Sequence, residues 1–409
     1  MRILHVVESL APRYGGPSVA CPALCRELVR RGHEVAIYTT NVDGDRLLDV
    51  PLGQPIFEKG VEIRYFPGWI QPREYKLSLP LWRALREKTQ SFDLAHIYSV
   101  YGFPTAAATH FCRIHGRPYL LHPHGSLDPY LRRRHQFRKW LYTKLLLRRS
   151  FRHASAILFN SSEEMRLAAD WPGLNSPATN GRSAPKKSVA YVGVEDEWFE
   201  EANPAACERL MRKFPQLSER RLVVFFGRLN FKKGLDILAR AFARVGSARE
   251  DVHLVLAGPD SEGYGHKVRG WLKEGGVLEK ATYTGPLAGE DRFALMHAAE
   301  VFVLPSYTEN FGTAVAEAMA CAVPVVISDQ VNIWPEVAQA GAGLVVRCDP
   351  KETAQALLAL LDNPARGKEM GQRGGRLVAE KMTWRKVGEQ MVEVYQEMLE
   401  SAARVTQAS

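Results

Sequence analysis

The chain lacks the apolar run that a membrane span requires, since no stretch approaches the roughly 18 uncharged apolar residues needed to cross a bilayer. Its opening segment, MRILHVVESL, reaches Glu8 after too few apolar residues for a secretory leader, and is expected to be the first buried strand of a domain. Six cysteines are present, at positions 21, 25, 112, 207, 321 and 348, without a Cys-x-x-Cys pair or a zinc-type spacing. That usage points to reduced structural thiols in a cytoplasmic protein and away from a disulfide scaffold. Short internal repeats and low-complexity tails are missing. No Gly-x-Gly-x-x-Gly opens either half, so the usual dinucleotide fingerprint is absent. One sign of charge also disappears locally: between Leu131 and Ser161 there is no Asp or Glu.

That acid-free segment is crowded with Arg132, Arg133, Arg134, Arg138, Lys139, Lys144, Arg148, Arg149 and Arg152, within a chain of net charge +9. Phe137, Trp140, Leu141 and Leu145 recur through it at helical spacing, which predicts one amphipathic helix. Such a basic face is either simply solvated or meets an anionic membrane surface or a phosphorylated, lipid-linked acceptor. Nucleic acid is not expected, because no nucleic-acid-binding motif accompanies the charge.

The rest of the chain has an ordinary globular composition. Its 409 residues, 46% hydrophobic and 24% charged, suit two α/β domains. Two sets of short β-branched runs alternate with helix-length segments. The first comprises Ile3–Val7, Val35–Tyr38, Leu94–Tyr98, Tyr119–Leu121 and Ala156–Phe159. The second comprises Leu222–Phe226, Val252–Ala257, Val301–Leu304, Val323–Ile327 and Leu344–Val346. Nearly continuous apolar strands separated by helices predict doubly wound parallel sheets buried on both faces. Trp171–Lys187 is rich in Pro, Gly, Ser and Asn and reads as an exposed loop, while Glu195–Arg221 is charged and helical. The expected domains are therefore 1–200 and 201–380, two Rossmann-like halves facing a central cleft. The remainder, 381–409, has Val387, Met391, Val394, Tyr395 and Met398 at helical spacing and is expected to pack back toward the first domain.

Open α/β sheets bind ligands at the carboxyl ends of their strands, which directs attention to four loops. In Leu304-Pro-Ser-Tyr-Thr-Glu309-Asn310-Phe311-Gly312-Thr313-Ala-Val-Ala-Glu317, a strand ends, a loop carries one carboxylate, and a helix begins near Gly312 with a second carboxylate inside it. Free amides at that helix start form an anion site, and the two carboxylates can reach different parts of one long ligand. After Phe226, the run Gly227-Arg228-Leu-Asn-Phe-Lys232-Lys233-Gly234 offers two cations suited to a diphosphate. Gly15-Gly16 follows the first strand and permits close approach of backbone to ligand. Finally His122-Pro-His124-Gly-Ser-Leu-Asp-Pro ends a first-domain strand with a histidine able to orient a hydroxyl.

Together these pieces resemble the GT-B fold retaining glycosyltransferases of family 4, the group 1 transferases, over nearly the whole chain. The specific part is Glu309-x7-Glu317 with Asn310-Phe311-Gly312, preceded by Gly227-Arg228 and Lys233-Gly234. Asp93-Leu-Ala-His96-Ile-Tyr98-Ser99 is similar to the family's Asp-x-x-His-x-His-Ser stretch, with Tyr98 in place of the second histidine. The resemblance implies that Arg228 and Lys233 hold the donor diphosphate, Glu317 the ribose, and Glu309 with the amides of Asn310 to Gly312 and neighbouring Thr313 the donor sugar. It implies that Gly15 and Gly16 face the diphosphate, that His124 sits beside the sugar, and that no bound metal or other cofactor is needed. Gly258, Tyr283 and Thr284 are expected in loops around the nucleobase.

The sequence departs from the family pattern at Tyr191-Val192-Gly193-Val194, where an Asn is usual at Val192, and at Ala322, where a Gly is common. Asp43-Gly44-Asp45 matches the metal motif of a different glycosyltransferase fold, but its turn-like context argues against metal binding. The implied function is retaining transfer from a UDP- or GDP-sugar to a saccharide or lipid-linked acceptor, in bacterial surface polysaccharide or glycolipid synthesis. A peripheral contact with the cytoplasmic face of the membrane would accompany it through Arg132, Arg133 and Arg134. The alternatives on the same architecture are a nucleotide-sugar epimerase-hydrolase, a glycan phosphorylase, or a non-catalytic nucleotide-sugar sensor.

Overall fold

The computed structural model describes residues 1–69, 76–129, 142–175, 184–260 and 262–407. The chain divides into two compact units: Met1–Gly193 with Trp384–Ser409, and Val194–Thr383. The first boundary thus falls at Gly193, some residues before the expected 200, and the last segment belongs to the first unit.

Unit 1 is built on β1 (Arg2–Ser9), β2 (Glu34–Thr40), β3 (Val42–Asp43), β4 (Arg46–Leu47), β5 (Pro55–Glu58), β6 (Val61–Phe66), β7 (Leu94–Tyr98), β8 (Tyr119–His122), β9 (Ala156–Phe159) and β10 (Lys186–Val189). Eight of these form one sheet in the order β10-β9-β8-β7-β1-β2-β6-β5, parallel except for the β5–β6 pair at its edge. Its helices are α1 (Gly16–Arg30), α2 (Leu79–Lys88), α3 (Phe103–Ile114), α4 (Arg148–His153) and α5 (Ser162–Leu167). Alternation along β1 splits its side chains between two cores, as the period of two requires. Leu4 and Val6 join Leu81, Leu85 and Phe111 on one side, while Ile3 and Val7 join Cys21, Leu24 and Leu28 of α1 on the other. The C-terminal helix (Trp384–Gln407) completes that second core with Val387, Met391, Val394, Tyr395 and Met398. Arg31 at the end of α1 donates to the carbonyl of Arg385 at 2.8 Å, fixing the register of the two helices.

Unit 2 contains β11 (Arg221–Phe226), β12 (Val252–Ala257), β13 (Ala281–Gly285), β14 (Ala299–Leu304), β15 (Val325–Ser328) and β16 (Gly343–Val346). They form a six-stranded sheet in the order β13-β12-β11-β14-β15-β16, every pair parallel. The flanking helices are α6 (Pro204–Lys213), α7 (Leu235–Ala248), α8 (Gly265–Glu274), α9 (Glu290–His297), α10 (Thr313–Ala320), α11 (Trp334–Ala340), α12 (Pro350–Leu361) and α13 (Pro364–Lys381).

Three sequence readings need correction, and a fourth is not tested. Tyr283 and Thr284 lie in strand β13 and not in a loop. Trp171–Lys187 is not a simple exposed loop: Trp171 and Leu174 are buried, and Lys186 opens β10. Strands β5, β6 and β10 were not expected, because their half-exposed, charged sequences carry no continuous apolar run. Arg132, Arg133, Arg134, Arg138 and Lys139, with the apolar stripe of Phe137, Trp140 and Leu141, lie outside the described residues.

Candidate functional site

In unit 2 the strand order reverses between β11 and β14, and a sheet of this kind opens its binding crevice where the order reverses. The loops leaving those two strands carry Gly227–Gly234 and Pro305–Gly312. They are held together tightly. A Cβ on Gly234, whose φ is 63°, would stand 1.9 Å from the Pro305 carbonyl oxygen, so only glycine allows the approach. Tyr307 donates its amide to the Lys232 carbonyl at 2.8 Å. Glu309 donates its amide to the Gln330 carbonyl at 3.0 Å and accepts from the Asn332 amide at 2.9 Å, which ties this loop to the one after β15.

These constraints bring Lys233 and Glu309 together across 76 residues as an ion pair, Nζ against Oε2, with 18% and 21% of their side chains exposed. Gly312, in the left-handed conformation at φ 82°, caps the start of α10. Phe311 is buried, Thr313 is exposed at the first turn, and Asn310 Oδ1 is buried without a partner. That oxygen is an unsatisfied acceptor beside the start of α10. Asn230 Oδ1, Asp236 Oδ1 and Ser306 Oγ, in the same loops and in the first turn of α7, are likewise buried and unpartnered. Arg228 is exposed and has no ion-pair partner among the described residues.

Glu317, inside α10, is buried, and burial pushes its carboxyl up while Arg292 pulls it down. Arg292 of α9 pairs with Glu317 Oε2 and lies 4.8 Å from the ring centres of both Trp198 and Phe226. Sequence reading missed Arg292, which lies in an unremarkable helix 25 residues before its partner. Gly258 and Gly227 sit back to back after neighbouring strands, where a Cβ on Gly258 would meet the Gly227 carbonyl oxygen at 2.1 Å. Tyr283 lies one strand further out with Arg269 4.1 Å from its ring centre, and the Thr284 hydroxyl donates to the Gly285 carbonyl at 2.9 Å.

Unit 1 has its own reversal, between β1 and β7. Gly15 has φ 62° and leads into α1 at Gly16, where an added Cβ on either would meet nothing. A group that sequence reading passed over lies here. Glu8, at the end of β1, accepts from Lys76 Nζ at 2.9 Å, and Lys76 lies 4.0 Å from the Tyr14 ring centre. Burial raises the Glu8 carboxyl, opposed by Lys76 and Ser99. The available signal was a charged residue ending an otherwise apolar core strand.

His124 follows β8 with a positive φ of 49°, an uncommon conformation for a non-glycine residue and one that concentrates at ligand sites. Its ring stacks on His122 with centroids 3.6 Å apart, its Nδ1 lies 3.1 Å from Asn160 Nδ2, and its Nε2 is buried without a partner. Asp43 and Asp45 flank the Gly44 turn of the β3–β4 hairpin and are both engaged by Arg13, at 3.5 and 3.3 Å. The one His/Cys/carboxylate group with metal-like spacing among the described residues is His5, Cys21 and Cys25, buried beneath α1 with only three ligand atoms within 4.8 Å of one another.

Two doubly wound parallel sheets in one chain are the architecture of the GT-B fold. The solved structure of Anabaena HepE in complex with UDP-glucose superposes on it with a TM-score of 0.73 over 97% of this chain and 100% of that one, at 19% identity. The glycosyl transferase 4-like domain family matches residues 15–179, and the glycosyl transferases group 1 family matches residues 208–376. The chain belongs to the group 1 glycosyltransferases. A Methanocaldococcus jannaschii glycosyltransferase is 24% identical over 99% of this chain and 100% of its own length. The GDP-mannose-dependent monoacylated α-(1-6)-phosphatidylinositol monomannoside mannosyltransferase of Corynebacterium glutamicum is 29% identical over 50% of this chain. The chain matches about half of that relative's length, 54%.

Proposed function

We propose that the chain transfers a sugar from a UDP- or GDP-sugar to a saccharide or lipid-linked saccharide, with retention of anomeric configuration and without a bound metal. The observation that carries this reading is the Lys233–Glu309 pair beside the start of α10. A donor diphosphate would take Lys233 and Arg228, which has no ion-pair partner among the described residues, as its counter-charges, which stabilise the departing nucleotide as negative charge builds on it. Glu309, released from Lys233, would accept from sugar hydroxyls, and the amides of Asn310 to Gly312 with Thr313 would close around the same sugar. Glu317 would hold the ribose, with Arg292 keeping its buried carboxylate charged and aimed. Gly258, Tyr283 and Thr284 would border the nucleobase. In unit 1, Gly15 and Gly16 would serve the diphosphate, and His124 the transferred sugar.

Retention is read from the resemblance, with attack on the face the nucleotide leaves and the leaving phosphate accepting the acceptor's proton. The relatives named above support a glycan or glycolipid acceptor, and the basic segment containing Arg132, Arg133 and Arg134 would meet an anionic acceptor or bilayer surface. The test is a donor panel. Purified protein is incubated with UDP-, GDP- and ADP-sugars in EDTA and release of nucleoside diphosphate is followed. Release from one UDP- or GDP-sugar, unaffected by EDTA, is expected. Dependence on added divalent metal, or conversion of donor to an epimer with no nucleotide released, would overturn the reading.

A further inference from the structure

Unit 1 holds a line of buried polar side chains. It starts on the C-terminal helix and ends at the ligand-side loop after β8. The Tyr395 hydroxyl lies 2.7 Å from His96 Nδ1, and His96 Nε2 lies 3.1 Å from His122 Nδ1. His122 Nε2 lies 2.9 Å from Asn160 Oδ1, and Asn160 Nδ2 lies 3.1 Å from His124 Nδ1. His96, His122, Asn160 and Tyr395 are each 5% exposed or less.

The order of donors along this line is determined once one link is known. The Asn160 amide nitrogen can only donate, so His124 Nδ1 must be a bare acceptor and the ring proton must sit on Nε2. The Asn160 oxygen can only accept, so His122 carries its proton on Nε2 and accepts on Nδ1. By the same step His96 is protonated on Nε2 and accepts from the Tyr395 hydroxyl. Every ring is then neutral with a single proton on Nε2, those of His96 and His122 directed along the line toward His124. Burial favours that neutral state, holding all three histidines below their ordinary value and His122 at about 3. Glu164 fixes the far end: it accepts from the backbone N–H of Asn160 at 2.6 Å and the backbone N–H of Gly125 at 2.5 Å, bracing the turn on which His124 sits.

The geometry points to Tyr395, His96, His122 and Asn160 as positioning residues that lock His124 as the neutral Nε2–H tautomer, a fixed hydrogen-bond donor toward a sugar hydroxyl. The donor atom is the Nε2 that is buried and has no partner among the described residues. This rests on the assignment of His124 to the transferred sugar, but the locked tautomer itself is a property of the ligand-free chain. A donor of fixed direction selects an oxygen lone pair at one position and repels a competing donor there.

Ring 15N shifts of the full-length protein, with His124 assigned from its loss in His124→Ala, read the tautomers directly and without any donor sugar. The expected result is Nε2–H at His96, His122 and His124. Asn160→Asp removes the amide donor and presents a carboxylate, so His124 should move to Nδ1–H or become doubly protonated, with kcat falling about ten-fold or more. Should that variant fail to fold, His122→Phe keeps the ring stack but frees the Asn160 amide to turn, and His124 should then titrate between both tautomers. Nδ1–H rings in the native protein would overturn the proposal. So would an Asn160→Asp or His122→Phe protein that folds with the His124 tautomer and turnover unchanged. A native Nε2–H pattern in a protein that releases no nucleotide from any donor would instead fault the functional reading and leave the lock standing.

Discussion

The two units solve the same problem with different chemistry. Both place polar residues at the carboxyl ends of parallel strands, in unit 2 at the reversal between β11 and β14 and in unit 1 after β8 and β9. Unit 2 prepares its loops with charge: Lys233 against Glu309 and Arg292 against Glu317. Around His124, unit 1 uses neutral groups, with three uncharged histidines, an amide and a phenol in one directed line. The difference follows from burial. The Lys233–Glu309 pair is partly solvated and can exchange partners when a charged ligand arrives, at a cost well below that of separating a fully buried pair. The histidines of unit 1 are enclosed, where a charge would be expensive and a neutral donor with a fixed direction is stable.

The largest break in this comparison is expected from Glu309→Gln. It removes the carboxylate from the side that depends on charge while leaving a side chain of the same size. Turnover should fall about 10²–10³-fold with the melting temperature retained. Steady-state nucleotide release alongside a thermal melt measures both, and full activity in the variant would remove Glu309 from the site.

A smaller effect sharpens the other half. His96, His122 and His124 are held below the ordinary 6.5 in the folded chain, chiefly by burial. The unfolded chain therefore binds protons before the folded one does, so these groups contribute stability above pH ~6.5 that is lost as pH falls toward 3. Glu317, raised by burial, acts in the opposite sense, its contribution being lost as pH rises past 4.5. Calorimetry from pH 7 to pH 5 should show a falling melting temperature, with a shallower fall in His122→Phe. An equal slope in that variant would show that the buried ring does not carry the acid sensitivity.

Much of this was legible in the sequence because its signals are local. Strands β1, β2, β7, β8, β9, β11, β12, β14 and β15 read as apolar runs, since burial on both faces leaves no alternation to blur them, and the edge strand β16 reads the same way from its Leu-Val-Val. The edge strands β5, β10 and β13 carry polar residues and were read as loops or missed. The candidate residues Glu309, Glu317, Lys233 and His124 stand on loops or helix starts whose glycines and strand ends are visible in the chain. Their pairings were not. Lys233 meets Glu309 across 76 residues, Glu317 meets Arg292 across 25, and Tyr395 meets His96 across 299. Only the strand order brings such groups together, and strand order is not written in spacing. Arg292 was passed over because it belongs to no local pattern, and Asn160 drew notice only as the first residue of an Asn-Ser-Ser sequon, although a polar residue directly after the apolar strand β9 was a usable sign of its buried role.

The central claim is that unit 2 receives a diphosphate on Arg228 and Lys233. Its most direct test is a calorimetric titration of UDP and GDP into the native protein and into Arg228→Ala, in EDTA. Native binding of one of the two, weakened about ten-fold or more by the substitution, is the predicted result. Equal affinity in both proteins would contradict it.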